Sequence, residues 1–141
     1  MSRVFWDSTI VIYLLDDHPD FGRRVRHLLE RSFQRNDALF TSHLALAEIL
    51  AGAQKSTNIQ KTQAVQQILE EMGFSFLPFD RGSVAPFSRL RSRGKLKAPD
   101  CIHLACAASA GIDLFLTGDR RLAKLDVPGI QFIAEFNTPI L

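Results

Sequence analysis

Leu44-Ala45-Leu46-Ala47-Glu48-Ile49-Leu50-Ala51-Gly52 is an apolar helical run with one carboxylate in its middle. Its alanines and its glycine keep the surface around Glu48 small. An ionised carboxylate buried without a partner is too costly to persist, so Glu48 needs water, a cation or a basic neighbour. Glu48 also sits too deep in the helix to act as a cap. Three other carboxylates have similar surroundings. Asp7 follows the apolar run Val4-Phe5-Trp6. Asp100 opens a second alanine-rich helix, and Asp119 follows Leu114-Phe115-Leu116-Thr117-Gly118.

Outward from this run, strands alternate with helices. Arg3 to Trp6 reads as a short buried strand. Ser8 to Leu15 reads as a buried helix, with Asp7-Ser8 as a capping pair. Phe21 to Phe33 is amphipathic, with Val25, Leu28, Leu29 and Phe33 inward. Ala38 to Thr41 is a second strand, and Thr41 or Ser42 caps the Glu48 helix. A polar loop is expected over Ala53 to Asn58, then a helix over Ile59 to Met72 stopped by Gly73. Phe74 to Phe79 is a third strand, Val84 to Leu90 a helix, and Arg91 to Lys97 a basic polar stretch. Pro99 suits the first turn of the next helix, and Gly111 its end. Asp113 to Thr117 and Ile130 to Ile133 complete the strands, with a helical turn at Arg120 to Lys124 between them. The alternation predicts an α/β fold: a three-layer α/β/α sandwich around a mostly parallel sheet of about five strands.

The 141 residues, 46% hydrophobic and 23% charged, suit one domain with an ordinary core, spanning 1–141. The net charge of +2 is too small to identify a partner. Cys101 and Cys106 fall on different faces of one helix, which disfavours a disulfide between them and suits buried, reduced thiols. The first strand begins right after Met1 and no run approaches transmembrane length, so the expectation is a soluble cytoplasmic protein with no membrane association.

The carboxyl ends of strands in open α/β sheets are where sites form, and Asp7 and Asp119 belong there. Glu48 and Asp100 can reach the same edge. Asp7, Asp100 and Asp119 also suit helix-end roles when taken singly. Asp16, Asp17, Asp20, Glu30, Asp37, Glu70, Glu71 and Asp126 read as solvated, and Asp113 as lying at the opposite edge. Two like charges 4 Å apart cost roughly 4 kcal/mol at an effective dielectric of 20. Four clustered carboxylates must therefore take up protons or cations, and an all-oxygen set favours Mg²⁺ or Mn²⁺. Removing the Glu48 charge is then expected to stabilise the metal-free fold. Arg81, Arg89, Arg91, Arg93, Lys95 and Lys97 precede Asp100, while Arg120, Arg121 and Lys124 follow Asp119. A negative pocket rimmed by cations suits a phosphodiester polymer, though a basic run is equally compatible with a solvated face. His103, three residues after Asp100 on the same helix face, reads as a packed core histidine, with a metal ligand as the alternative. Ser8 and Thr117 can cap and turn the chain or orient water. Nothing suggests a P-loop or a zinc site.

Four stretches together resemble a PIN-domain nuclease, most closely the VapC-type toxins of toxin–antitoxin pairs. They are Asp7-Ser8-Thr9 before Ile10 to Leu15; Thr41-Ser42 with Glu48; Pro99-Asp100-Cys101-Ile102-His103-Leu104-Ala105; and Leu116-Thr117-Gly118-Asp119-Arg120-Arg121-Leu122. The resemblance implies that Asp7, Glu48, Asp100 and Asp119 are catalytic acids holding Mg²⁺ or Mn²⁺, assisted by Ser8 or Thr117. It implies hydrolysis of RNA, one metal activating water and a second stabilising the leaving oxygen. Arg91, Arg93, Lys95, Lys97 and Arg120 are then the expected RNA contacts. A homodimer and a small antitoxin that covers the site are implied partners. The competing readings are a Mg²⁺-dependent phosphoaspartate enzyme or receiver domain built on Asp7, and a non-catalytic PIN-like module that binds RNA or protein.

Overall fold

Arg3–Trp6 forms β1, the central strand of a five-stranded sheet in the computed structural model. The structure describes residues 1–54, 59–139 and 141; for 53, 54 and 59–62 it describes the backbone alone. Ser8–Leu15 is α1, Gly22–Arg35 α2, Ala38–Ser42 β2, His43–Gln54 α3 and Ile59–Glu71 α4. Phe74–Leu77 is β3, Val84–Ser92 α5, Ala98–Ala110 α6, Leu114–Thr117 β4 and Phe132–Glu135 β5, with 3₁₀ turns at Arg81–Ser83 and Leu122–Lys124. The strand order is β3-β2-β1-β4-β5, and every neighbouring pair is parallel. The chain winds from β1 to one side, then returns to build the other side, so the order reverses at β1.

Strand alternation divides the core. Val4 and Trp6 point to one face, where they pack with Ile10, Val25, Leu46, Ile49 and Leu69 from the first four helices. Phe5 points to the other face, against Phe115, Leu90, Leu104 and Ala107 under α5 and α6. Both faces are therefore covered, the condition for an all-parallel sheet. Cys101 and Cys106 are free and buried, as expected. Burial pushes the Cys106 thiol up to about 11, which keeps it out of thiolate chemistry.

Several boundaries differ from the expectation for local reasons. β5 starts two residues later than Ile130. Ile130 N–H is taken by Val127 C=O in a turn, and pairing with β4 begins at Phe132 opposite Leu114. Gly129 makes this turn possible: its φ is +99°, and a Cβ there would lie 2.7 Å from the Ala108 carbonyl oxygen. α5 runs on to Ser92, so Arg91 is helical rather than part of a polar stretch. The expected loop over 53–58 is helical at Ala53 and Gln54, and residues 55–58 lie outside the described residues. Asp37 is not a solvated turn residue: its side chain is 1% exposed, accepting from Ser2 N–H and Arg35 Nε. Asp113 lies at the opposite edge as expected, accepting from Arg3 N–H.

Candidate functional site

Asp7 is still in register with β4, its N–H donating to Leu116 C=O at 2.9 Å. Its side chain therefore leaves the sheet at the crevice between β1 and β4, where the strand order reverses. Ser8 N–H donates to Oδ1 at 2.8 Å, and Thr117 Oγ1 donates to Oδ2 at 3.0 Å. Thr117 Oγ1 also accepts from Asp119 N–H at 3.1 Å. Its one proton is committed to Asp7, so it ties β1 to the turn that carries Asp119. Asp7 is only 8% exposed. Burial pushes its carboxyl above the usual range against those hydrogen bonds, and the Glu48 charge adds to the rise.

Asp100 occupies the first turn of α6, behind Pro99. Burial, and then the charges of Asp7 and Asp119, raise its carboxyl. Asp119 is set differently. Arg121 donates to both of its oxygens, Nε to Oδ1 at 3.2 Å and an Nη to Oδ2 at 2.8 Å, and Arg121 N–H also reaches Oδ1. That guanidinium holds the Asp119 carboxyl below the usual range.

Glu48 is the acid whose surroundings the sequence did not disclose. Its Oε1 lies 2.8 Å from His103 Nε2, and its side chain is 39% exposed. His103 is buried as expected, but it is not an inert core residue. Its Nδ1 lies 2.7 Å from Ser42 Oγ, which accepts from Ala45 N–H as the cap of α3. Asp100 and His103 stand three apart on α6, the spacing that places both on one helix face, and that spacing was the available signal. Both ring nitrogens are engaged, which leaves His103 no lone pair for a metal.

Asp7, Ser8, Thr9, Glu48, Asp100, His103, Asp119, Arg120 and Arg121 line one open cleft of about 500 Å³. All four proposed acids and Ser8 are thus brought together, with Arg120 on the lip and Thr117 directly beneath. Arg91, Arg93, Lys95 and Lys97 do not line it. They lie between the end of α5 and the start of α6, and Arg91 donates to Leu96 C=O at 2.7 Å. Among the described residues no three Asp, Glu, His or Cys groups stand close enough to enclose a metal ion. The acids line a trough rather than a cage. Its donor chemistry nonetheless fits a hard divalent cation: oxygen ligands, hydroxyls nearby, and carboxylates that raise one another's affinity for protons.

Ser42, His103 and Glu48 are the residue types of a nucleophilic triad, but the arrangement excludes that chemistry. Ser42 is 0% exposed at the inner end, and the acid is at the open end.

A family model described as the PIN domain matches residues 4–128. Ribonuclease VapC23 of Mycobacterium tuberculosis is 29% identical over 126 residues, covering 86% of this chain and 96% of that protein. The structure of VapBC2 from Rickettsia felis bound to a promoter DNA fragment superposes with a TM-score of 0.75 at 17% identity, over 94% of this chain and 98% of the matched one. DNA-bound VapBC from Salmonella typhimurium gives 0.73 at 21% identity, over 96% and 99%. Among the described residues no helix is long and apolar enough to cross a membrane.

Proposed function

The chain belongs to the PIN-domain family, and on that premise we propose that it is a metal-dependent endoribonuclease acting as the toxin of a toxin–antitoxin pair. The observation that carries this reading is the convergence of Asp7, Glu48, Asp100 and Asp119, from four separate elements, on one open cleft at the β1/β4 crevice. The ribonuclease similar to it along most of both chains supports RNA as the substrate. The neighbouring VapBC complexes support an antitoxin as partner. We also infer a homodimer, a single nuclease domain over 1–141, and action in the cytoplasm.

The four acids would hold Mg²⁺ or Mn²⁺. When bound, the cation supplies a lower pKa for an attacking water and compensation of charge on the leaving oxygen. The chain's own groups prepare the place. Thr117 and Ser8 fix both oxygens of Asp7. His103 holds one oxygen of Glu48. Arg120 and Arg121 offer positive charge at the lip, where a phosphodiester backbone enters. Arg91, Arg93, Lys95 and Lys97, which do not line the cleft, are proposed as further RNA contacts on the strength of their charge.

The test is cleavage of a mixed RNA pool by the purified protein. EDTA should stop it, and Mg²⁺ or Mn²⁺ in excess of the chelator should restore it. Cleavage that persists in excess EDTA would rule out the proposed chemistry.

A further inference from the structure

We propose that Ser42 and His103 form a buried relay that aims the Glu48 carboxylate, making His103 a positioning residue for cation binding. The inference rests on the reading of Glu48 as a metal-holding acid, and it extends that reading inward to Ser42 and to the ring tautomer of His103. Ala45 N–H donates to Ser42 Oγ at 2.9 Å. Ser42 is fully buried, and His103 Nδ1 at 2.7 Å is the acceptor its hydroxyl proton has among the described residues. With Nδ1 accepting, the ring proton sits on Nε2 and is donated to Glu48 Oε1 at 2.8 Å. This assignment gives every donor an acceptor. The carboxylate is thereby pinned through one oxygen, and Oε2 is left free of the ring.

The relay joins three elements that the fold brings together late in the chain. Ser42 ends β2 and caps α3, so one hydroxyl fixes both the start of the helix carrying Glu48 and the ring that grips it. His103 comes from α6, the helix that also carries Asp100. Its ring is packed at 2% exposure near Phe5, centroids 6.4 Å apart, and cannot turn away. A partly exposed glutamate on a helix otherwise samples several rotamers, and a buried hydrogen bond removes that freedom before a cation arrives. Outer partners that orient metal-ligating side chains are typically worth about 10–100-fold in metal affinity.

The experiment is Mn²⁺ titration by calorimetry on the full chain, with Asp7→Asn as reference and thermal melts as the folding control. His103→Leu should weaken Mn²⁺ binding by about 10-fold or more. His103→Gln, whose amide can still donate near the position of Nε2, should recover most of that loss. His103→Asn, which can satisfy Ser42 but falls short of Glu48, should not. Equal affinity for the Gln and Asn variants overturns the relay even if the Leu variant does not fold. If Asp7→Asn binds Mn²⁺ like the unmodified chain, the metal reading itself fails. If Asp7→Asn loses binding while His103→Leu keeps it, only the relay fails. A metal-free readout is the ¹⁵N spectrum of the histidine rings, in which His103 should carry its proton on Nε2 alone. A proton on Nδ1 overturns the proposal.

Discussion

The inner wall and the outer lip of the cleft handle the same problem, crowded carboxylates, in opposite ways. On the inner wall Asp7 is buried among hydrogen-bond donors, and its carboxyl is pushed above the usual range. On the lip Asp119 is open to water and clamped by Arg121, which holds its carboxyl below that range. The wall leaves its demand for positive charge unmet, whereas the lip meets its own. On the proposed reading a cation would gain most at Asp7 and Asp100, and would compete with an arginine for Asp119. Four acids that look equivalent in the sequence are sorted by burial and partner.

The largest effect expected from this contrast is at Asp7. Asp7→Asn should reduce RNA cleavage by orders of magnitude and yet stabilise the metal-free fold, by about 1 kcal/mol, because a desolvated charge is removed. The pH dependence follows with its sign. A raised carboxyl binds protons in the folded state that the unfolded state has already released. Stability in EDTA should therefore fall as pH rises from 3.8, the ordinary aspartate value, through the raised folded value. Asp119, shifted the other way, contributes stability that is lost as pH falls through its lowered value, and its exposure keeps that term small. Melts across this range should show the downward slope in the unmodified chain and a weaker one in Asp7→Asn. Identical slopes would mean that the inner wall is not where the charge is strained.

A smaller and opposite response is expected at the lip. Arg121→Gln frees Asp119, so Mn²⁺ should bind several-fold more tightly while RNA binds more weakly. If both affinities stay unchanged, Arg121 is an ordinary surface ion pair, worth as little as such pairs usually are.

The smallest stability effect is expected at Glu48. The sequence alone suggested that Glu48→Gln would stabilise the metal-free protein by relieving repulsion. With the carboxylate part-exposed and bonded to His103, relief and lost hydrogen-bond strength nearly offset, and the melting change should stay within about 0.5 kcal/mol. Cleavage should still collapse. A variant that melts well above the unmodified protein in EDTA would show that the hydrogen bond from His103 does not offset the repulsion at Glu48.

The sequence disclosed the sheet and the four acids because each acid interrupts or ends an apolar run, and periodicity reads such interruptions directly. β1, α1 and the ends of α6 were legible to the residue for the same reason. Partners were not legible. Glu48 and His103 are 55 positions apart, and only the crossing of α3 and α6 joins them. Asp37 looked like a turn residue because nothing local reveals that the Ser2 N–H needs an acceptor. β5 was placed two residues early because an apolar Ile130 resembles a strand start, while its role is to fill the core behind a glycine turn. The basic run from Arg91 to Lys97 was drawn too close to the acids, since proximity in sequence to Asp100 does not place a side chain in its cleft.

The place of β1 has a consequence for the chain as it is made. Its two neighbours are β2 and β4, and the hydroxyl that steadies Asp7 comes from Thr117, 110 positions later. Domains emerge N-terminus first during synthesis. Until residue 100 has been added, a growing chain holds two of the four acids, and β1 has an open edge where β4 will dock. The half-made chain cannot yet assemble the cleft that the four acids line. On the proposed function, RNA cleavage would begin only when the chain is nearly complete.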